Sequence, residues 1–260
     1  MSKLDKYYTN ISAVKYCMKL FNRHIKVKKN DLIIEPSAGN GAFIKEIEKI
    51  KANHIYYDIK PEDKRIIRKD FLKLTKIAKK GKIHVVGNPP FGYKSSLAIK
   101  FIKKAAKIAE TIAFILPKSF KKNSNQKAFP LNFHLILQKD LPKDSFIWNN
   151  ESYDVPCVFQ IWKKKEYDRK VIKKPYINDF KFVKKDMHPD IAIRRVGSKA
   201  GSISFESETK NSSSFYFIKI IAKDKSEVIK KLQNITYKFN NTVGAKSISK
   251  YELLIAYSKK

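Results

Sequence analysis

The most constraining feature of this sequence is a short apolar run, residues 83–86, that stops at Asn88-Pro89-Pro90-Phe91. An apolar run of this length predicts a buried strand, and the glycine and prolines after it predict an abrupt end. Two consecutive prolines fix φ and remove two backbone donors, so the carbonyl groups here point outward without competing N–H groups. Open α/β sheets bind ligands at the carboxyl ends of their strands. An amide, a rigid carbonyl and an aromatic ring at such an end predict a site for a flat, amino-bearing ring.

A second segment combines a strand, a glycine turn and a helix. Residues 32–34 are apolar, Gly39 and Gly41 allow a tight turn, and residues 42–50 return to helical spacing. This arrangement points backbone amides at a nucleotide-like ligand. The full dinucleotide fingerprint Gly-x-Gly-x-x-Gly is absent, because residue 44 is isoleucine. The segment therefore predicts a nucleotide-like ligand without the complete dinucleotide motif.

Two acidic residues follow the glycine turn. Asp58 lies in a second apolar strand, residues 55–59, near the spacing of about 20 residues at which a ribose-binding acid is expected. Asp70 comes after a further polar stretch, directly before Phe71. The structural alternatives are a solvent-exposed strand end for Asp58 and a helix cap for Asp70. The position of Asp58 behind the glycine turn favours ligand binding for that residue.

Strand and helix patterns alternate through the first part of the chain. Helical spacing begins after Ser12, a candidate N-cap, and again after Ser95 or Ser96. The alternation predicts a mostly parallel, doubly wound α/β sheet. Residues 133–137 and 155–162 predict two strands, joined by a polar connection, that complete the sheet as an antiparallel edge.

These segments together resemble the S-adenosylmethionine-dependent methyltransferases that modify the amino group of adenine in nucleic acids. The resemblance rests on the segment Glu35-Pro-Ser-Ala-Gly-Asn-Gly-Ala-Phe43 followed by Asn88–Phe91, and it spans roughly residues 5–165. It implies a class I, Rossmann-like methyltransferase sheet with a small C-terminal α/β appendage. It also implies S-adenosylmethionine as the cofactor.

The resemblance gives a role to each motif. In that family the glycines support the methionine portion of the cofactor, the acid at Glu35 organises the loop and the amino group, and the Asp70-Phe71 pair meets the adenine. The Tyr7-Tyr8-Thr9 segment resembles the amino-terminal element that lies over the cofactor. The implied catalytic residues are Asn88, Pro89, Pro90 and Phe91, and the implied cofactor-binding residues are Tyr8, Thr9, Glu35, Pro36, Ser37, Gly39, Gly41, Asp58, Asp70 and Phe71.

The composition changes near residues 163–170, which predicts a methyltransferase core of residues 1–165 and a second region of residues 166–260. The second region carries short strand-like runs and no recognisable chemistry, and in this position it resembles a target-recognition region. Its arginine pair is favoured for bases and phosphates, because arginine is rare in this chain and its guanidinium suits both. The expected nucleic-acid contacts are Tyr93, Lys94, Lys118, Lys121, Arg194 and Arg195.

The formal net charge of +32 predicts a polyanionic partner such as nucleic acid. Only six of the 56 basic residues are arginine, and an AT-rich coding sequence would produce the same lysine bias. Part of the charge is therefore attributed to genome composition. The lysine-rich, compact chain indicates a virus, a plasmid or an AT-rich microbe as its source.

Several classes of protein are excluded by what the sequence lacks. No apolar run approaches the about 18 residues of a membrane span, and the amino terminus has no signal-peptide pattern. The two cysteines, Cys17 and Cys157, lie in separate apolar segments without a Cys-x-x-Cys motif or a histidine cluster. We therefore expect no membrane, no metal and a reducing compartment, either the cytoplasm or the nucleoid or nuclear side.

The function predicted from these observations is methyl transfer to the N6 amine of adenine in nucleic acid, with DNA favoured over RNA. Adenine methyltransferases of ribosomal, small nuclear and cap-adjacent RNA carry the same motif, so RNA is the alternative acceptor. Relatives with Asn-Pro-Pro-Tyr modify protein glutamine, an acceptor that the charge disfavours, and cytosine N4 enzymes usually carry serine in place of the asparagine. A third hypothesis is a non-catalytic nucleic-acid-binding subunit. The retained Gly39, Gly41, Asn88 and Phe91 argue against it, and the oligomeric state is left open.

Overall fold

The structure is a computed structural model that describes residues 8–77, 80–148, 151–171, 173–242 and 244–260. The chain divides into two compact units, Met1–Lys170 and Val171–Lys260. Tyr7 of the amino-terminal motif lies outside the described residues. Within the described ranges, no helix has the length and apolar character that a membrane crossing requires.

The first unit alternates strands with helices. Its strands are β1 (Tyr8–Thr9), β2 (Leu32–Glu35), β3 (Asn53–Asp58), β4 (Ile67–Arg68), β5 (Ile83–Gly87), β6 (Thr111–Pro117), β7 (Phe133–Asp140), β8 (Phe146–Trp148), β9 (Glu151–Tyr153) and β10 (Cys157–Lys164). Its α-helices are α1 (Ile11–His24), α2 (Ile44–Ile47), α3 (Ser96–Ala106) and α4 (Asn123–Gln126).

A seven-stranded sheet in the order β4-β3-β2-β5-β6-β10-β7 forms the centre of this unit. The first five strands in that order are parallel, and β10 runs antiparallel to both β6 and β7. Strands β2, β5 and β6 are buried along their whole length, as expected for a sheet covered on both faces. Alternate residues of β2 enter different cores, with Ile34 in one and Ile33 in the other.

The strand order confirms the α/β class and the class I, Rossmann-like methyltransferase sheet predicted from the sequence. It also confirms the antiparallel strands at one edge, with β7 outermost and β10 inside it. The parallel strands β2, β3 and β5 all end on the same side of the sheet, which brings together Glu35, Asp58 and the segment that follows Gly87.

A separate three-stranded sheet, in the order β1-β8-β9, joins the start of the chain to the connection between β7 and β10. Thr9 lies opposite Phe146, and Tyr8 lies opposite Ile147. The predicted polar connection between β7 and β10 contains two short strands, β8 and β9, that the sequence does not predict. Strands of three residues among Asn, Asp and Glu give no periodic signal, so β8 and β9 escape detection from the sequence.

The start of α1 differs from the prediction, and that of α3 agrees with it in position. The N-cap of α1 is Asn10 and not Ser12, because the Asn10 side chain accepts a hydrogen bond of 2.7 Å from the Ala13 N–H. Ser12 instead lies in the first turn and donates to the same oxygen at 2.8 Å. Ser95 is the residue before α3, as predicted, but its side chain makes no capping hydrogen bond.

The second unit is the small α/β appendage that the sequence predicts. Strands β11 (Phe180–Val183), β12 (Ile191–Arg194), β13 (Ile203–Ser204) and β14 (Phe215–Ile220) form an antiparallel sheet in the order β11-β14-β12-β13. Helices α5 (Lys225–Gln233) and α6 (Lys250–Tyr257) follow, and α6 begins with a capping box between Ser249 and Glu252. Isoleucines of β12 and β14 share an apolar core with Val228 of α5 and Leu253 of α6.

Candidate functional site

A cavity of about 340 Å³ opens in the first unit at the carboxyl ends of β2, β3 and β5. It gathers nearly all the residues that the sequence assigns to the cofactor and to catalysis. Gly41 is the exception, since it is not part of the lining. The predicted residues that line the cavity are Tyr8, Thr9, Glu35, Pro36, Ser37, Gly39, Asp58, Asp70, Phe71, Asn88, Pro89, Pro90 and Phe91.

The glycine turn after β2 depends on two residues with positive φ, Gly39 at +54° and Gly41 at +82°. The Gly41 N–H donates to the Ala38 carbonyl at 2.7 Å, which closes the turn. A β-carbon at Gly41 would lie 2.9 Å from Cδ1 of Ile44, so that side chain would have to shift, and the positive φ would strain any other residue here. Gly41 therefore shapes the turn, and Gly39 forms part of the cavity wall.

The Asp58 carboxylate holds the turn in place. Its Oδ2 accepts a hydrogen bond of 2.8 Å from the Gly39 N–H, and its Oδ1 accepts one of 2.7 Å from the Lys60 N–H. Both oxygens thus have backbone partners, and the residue still lines the cavity. The alternative of a merely solvated strand end does not describe this carboxylate.

Glu35 ends β2 as a buried carboxyl group. Its Oε2 atom has no hydrogen-bond partner among the described residues. Burial, and secondarily the negative charge of Asp58, raise the pKa of Glu35 to about 8. Gly87 makes room for this side chain, since a β-carbon there would lie 3.1 Å from Cγ of Glu35. Glu35 is therefore a buried acid that lacks a partner for one of its oxygens.

Asn88 is also a residue of the cavity lining. Its amide Nδ2 donates a hydrogen bond of 3.1 Å to the Thr9 hydroxyl oxygen, which fixes the amide plane. Its Oδ1 is buried and has no partner within the described residues. The backbone carbonyl of Asn88 accepts a hydrogen bond of 3.2 Å from the Ser37 hydroxyl. The side-chain oxygen is thus a fixed, dehydrated acceptor, and the two prolines after it contribute no backbone donor.

The first described residues cover one side of this cavity. Tyr8 places its ring against Gly39, where a β-carbon would lie 3.4 Å from Cε1 of the tyrosine. Its hydroxyl donates a hydrogen bond of 2.6 Å to the Glu62 carboxylate. Tyr8 and Thr9 therefore contact the glycine turn and Asn88 respectively, although both belong to β1.

The structure supports the cap alternative for Asp70 without removing it from the cavity. Its Oδ1 accepts a hydrogen bond of 2.9 Å from the Leu72 N–H and caps the short 3₁₀ helix Phe71–Lys73. Phe71 is buried and stacks on Phe101 with a centroid distance of 5.7 Å. Both Asp70 and Phe71 line the cavity, so the two interpretations of Asp70 are compatible.

The predicted contacts from the first unit lie outside this cavity. Tyr93 is 80% exposed, and the Lys94 ammonium lies 5.0 Å from the centre of its ring. Lys118 and Lys121 are ion-paired with Asp140, at 3.7 Å and 2.6 Å. The two lysines are thus already partly neutralised, which weakens them as phosphate contacts.

The arginine pair of the second unit separates into two environments. Arg194 donates from Nε to the Val196 carbonyl at 3.1 Å. Arg195 lines an open groove of about 800 Å³, where its guanidinium lies 5.2 Å from the centre of the Tyr216 ring. Aromatic and basic residues share this groove with two acids, and its lining includes Lys184, Lys185, Asp186, His188, Glu208, Phe215, Phe217 and Lys250.

Several residues of the cavity were not predicted. Phe146 and Val155 come from the connection between β7 and β10, and Leu97 and Phe101 come from α3. The helical spacing of α3 marks its buried face, but only the fold shows that this face reaches the cavity. Among the described residues, no group of three or more His, Cys, Asp or Glu side chains is arranged to hold a metal ion.

No protein-family model and none of the curated proteins matches this chain. Similar solved structures include a proposed RNA methyltransferase from Pyrococcus horikoshii, with 15% identity and a TM-score of 0.48 over 62% of this chain and 87% of that chain. A proposed class I S-adenosylmethionine-dependent methyltransferase from Listeria monocytogenes has 16% identity and a TM-score of 0.47, over 64% of this chain and 63% of that chain. The 23S rRNA methyltransferase ErmE has 13% identity and a TM-score of 0.45, over 63% of this chain and 71% of that chain. At these values the similarity assigns no activity or substrate, and the fold class rests on the strand order.

Proposed function

We propose that this chain transfers the methyl group of S-adenosylmethionine to the exocyclic N6 amine of adenine in nucleic acid. The observation that carries this proposal is at Asn88, a residue of the cavity lining whose buried Oδ1 atom lacks a partner in the described structure. Leaving such an atom unpaired costs free energy, so a ligand that donates to it gains affinity and a fixed orientation.

The residues at the cavity fit S-adenosylmethionine. The glycine turn would allow close backbone approach, Asp58 would accept from the ribose hydroxyls, and Glu35 would accept from the cationic amino group with the oxygen that has no partner in the described structure. Asp70 and Phe71 would border the adenine, and Tyr8 and Thr9 would cover the ligand. When bound, S-adenosylmethionine would supply an electrophilic methyl group and leave as its neutral thioether, and the proton that the amine loses would pass to water.

The contribution of the chain is to orient the amine. The lone pair of an adenine N6 amine is delocalised into the ring, which makes the nitrogen a weak nucleophile. Hydrogen bonds from its two hydrogens to Asn88 Oδ1 and to the Pro89 carbonyl would localise and aim that pair. Phe91 would hold the face of the base. Positioning and electrostatics supply the rate in this scheme, and no covalent intermediate with the protein is needed.

Nucleic acid is the proposed acceptor, with DNA tested before RNA. The formal charge of +32 supports a polyanionic substrate, and an adenine inside a duplex would have to leave the stack to reach the cavity. The groove around Arg195 in the second unit supports the same choice, because cations beside aromatic residues that line an open groove suit phosphates and bases. We assign target contact to this groove and not to Arg194.

The test is methylation with labelled S-adenosylmethionine and four separate pools: duplex DNA, single-stranded DNA, capped mRNA and structured RNA. Nucleoside mass spectrometry identifies the product. N6-methyldeoxyadenosine, absent with Asn88→Ala, is the expected result, and N6-methyladenosine in an RNA pool would move the acceptor to RNA.

The cofactor arm of this test uses calorimetry. Asn88→Ala keeps the glycine turn, so it should bind S-adenosylmethionine about as well as the parent chain. Cofactor binding without a product in any pool would overturn adenine as the acceptor. Absence of both cofactor binding and product would overturn the proposed methyltransferase activity. It would favour the hypothesis of a non-catalytic nucleic-acid-binding subunit.

A further inference from the structure

Strands β8 and β9 expose two large aromatic side chains that contribute little to the core. Trp148 is 45% exposed and Tyr153 is 42% exposed. Their ring centroids lie 6.0 Å apart with an angle of 54° between the planes. Exposed apolar surface at adjoining positions marks a binding surface more often than isolated exposed residues do. We call this pair the aromatic pair.

The aromatic pair lies on the same sheet face as two residues of the cavity. Thr9 is opposite Phe146, and Phe146 is opposite Tyr153, and residues directly opposite each other share a face. Trp148 shares that face as well, because it lies two residues beyond Phe146 in the same strand. Thr9 holds the Asn88 amide and Phe146 lines the cavity, so this face runs from the cavity wall to the exposed aromatic pair.

The segment that carries the aromatic pair differs in charge from the rest of the chain. Residues 141–155 contain one lysine, Lys143, and three acids, Asp144, Glu151 and Asp154, whereas the whole chain carries +32. This segment itself therefore offers phosphates little electrostatic attraction. An uncharged, flat ring gains by stacking there, and the phosphates that flank it can be neutralised by lysines elsewhere.

We propose that the aromatic pair stacks on a nucleobase that neighbours the target adenine in a single-stranded or locally opened nucleic acid. This inference rests on the proposed function, because a base drawn into the cavity leaves its neighbour without a stacking partner. Aromatic side chains replace such stacking without regard to the identity of the base. The aromatic pair thus positions the strand and does not select its sequence.

The chain has two tryptophans, which makes fluorescence a direct test. Trp162 is 1% exposed and stacks on Phe129 at 4.1 Å, so a base in solution can quench only Trp148. Hexadeoxyadenylate and hexaadenylate should each quench part of the emission. Inorganic polyphosphate, a polyanion without bases, should bind the lysines and leave the emission unchanged.

Three variants test the contribution to affinity, with labelled hexadeoxyadenylate followed by anisotropy. Trp148→Ala should weaken binding about 5- to 150-fold, the range for loss of one stacked base. Trp148→Phe should retain most of the affinity. Ile147→Ala is the matched control, because Ile147 is 37% exposed on the opposite face of the same strand.

Two results together would overturn the proposal. Trp148→Ala would bind hexadeoxyadenylate as tightly as the parent chain, and neither oligonucleotide would quench the tryptophan emission of the parent chain. A protein partner for this surface would produce that pattern. Asn88→Ala separates this inference from the proposed function, since it should lose methyl transfer and keep the quenching. Methyl transfer that persists in Trp148→Ala with unaltered KM for the nucleic acid would also contradict stacking.

Discussion

The Nδ2 atom of Asn88 donates a hydrogen bond to the Oγ1 atom of Thr9 at 3.1 Å, across 79 positions of the sequence. Asn88 follows the central strand β5, whereas Thr9 belongs to the two-residue strand β1. The bond leaves one orientation of the amide, with Oδ1 as the unpaired acceptor. The residue with the proposed catalytic role is therefore oriented by a part of the chain outside the seven-stranded sheet.

Replacing Thr9 by valine should lower kcat with little effect on the affinity for S-adenosylmethionine. Valine keeps the shape of the side chain and removes the acceptor, so the Asn88 amide loses its fixed orientation. A net hydrogen bond contributes about 0.5–1.5 kcal/mol, which corresponds to a decrease of about 2- to 12-fold. Steady-state methylation kinetics measure it. Thr9→Ser, which retains the hydroxyl, should behave like the parent, and equal losses in both variants would contradict this role.

Asp58→Asn should weaken S-adenosylmethionine binding about 10- to 150-fold. An asparagine at this position has one side-chain oxygen, so it cannot accept from the Gly39 and Lys60 amides in the way that the carboxylate does. Hydrogen bonds to charged groups contribute about 1.5–3 kcal/mol. Calorimetric titration with the cofactor measures the change. Asp168→Asn, at an exposed position, is the control, and equal cofactor affinity in the two variants would refute the prediction.

Glu35 should make the first unit less stable as the pH rises. The pKa of Glu35 is about 8 in the folded chain and 4.5 in the unfolded chain. Between these two pH values the folded chain therefore binds one more proton than the unfolded chain. The stabilising contribution is complete below pH 4.5 and is lost by about pH 8. In this window the free energy of unfolding should fall by up to about 1.4 kcal/mol per pH unit.

Urea unfolding followed by tryptophan fluorescence at several pH values measures this slope. The glutamine of Glu35→Gln cannot ionise, so the free energy of unfolding of this variant should fall less steeply with pH, by up to about 1.4 kcal/mol per pH unit. Glu166→Gln, at an exposed position, should retain the slope of the parent chain. Parallel slopes for the parent chain and Glu35→Gln would mean that the carboxyl group titrates normally.

Arg195→Ala should weaken nucleic-acid binding at low salt. It should also reduce the slope of the logarithm of the binding constant against the logarithm of the salt concentration by about one, as expected for one lost phosphate contact. Arg23→Ala removes the same charge from an exposed position on α1 and controls for the net charge of the chain. Anisotropy titrations at several salt concentrations provide both quantities. If the two variants lose affinity equally, the groove makes no specific contact.

The central sheet and most of the cavity could be predicted because each part has a local signal. Apolar runs, the glycines at 39 and 41 and the two prolines at 89 and 90 all act within a few residues of chain. The geometry of parallel strands then brings their carboxyl ends together without further information.

The remainder depends on contacts between distant segments. Nothing in the local sequence pairs Thr9 with Phe146, or assigns Asp140 to Lys118 and Lys121. Arg194 and Arg195 are identical in type and adjacent in sequence, and only the strand pairing separates them. The N-cap of α1 was misassigned for a related reason, because Asn10 and Ser12 are both good caps.

The pairing of β1 with β8 has a consequence for the order in which the molecule opens. A two-residue strand is held by far fewer hydrogen bonds than the buried strands of the large sheet, so it detaches at lower free energy. Backbone amides near Thr9 should therefore exchange with deuterium faster than those of β5, and should slow when the cavity fills. Transient release of this segment would uncover the Gly39 turn while the rest of the unit stays folded, which gives the cavity a low-energy route for ligand entry and exit.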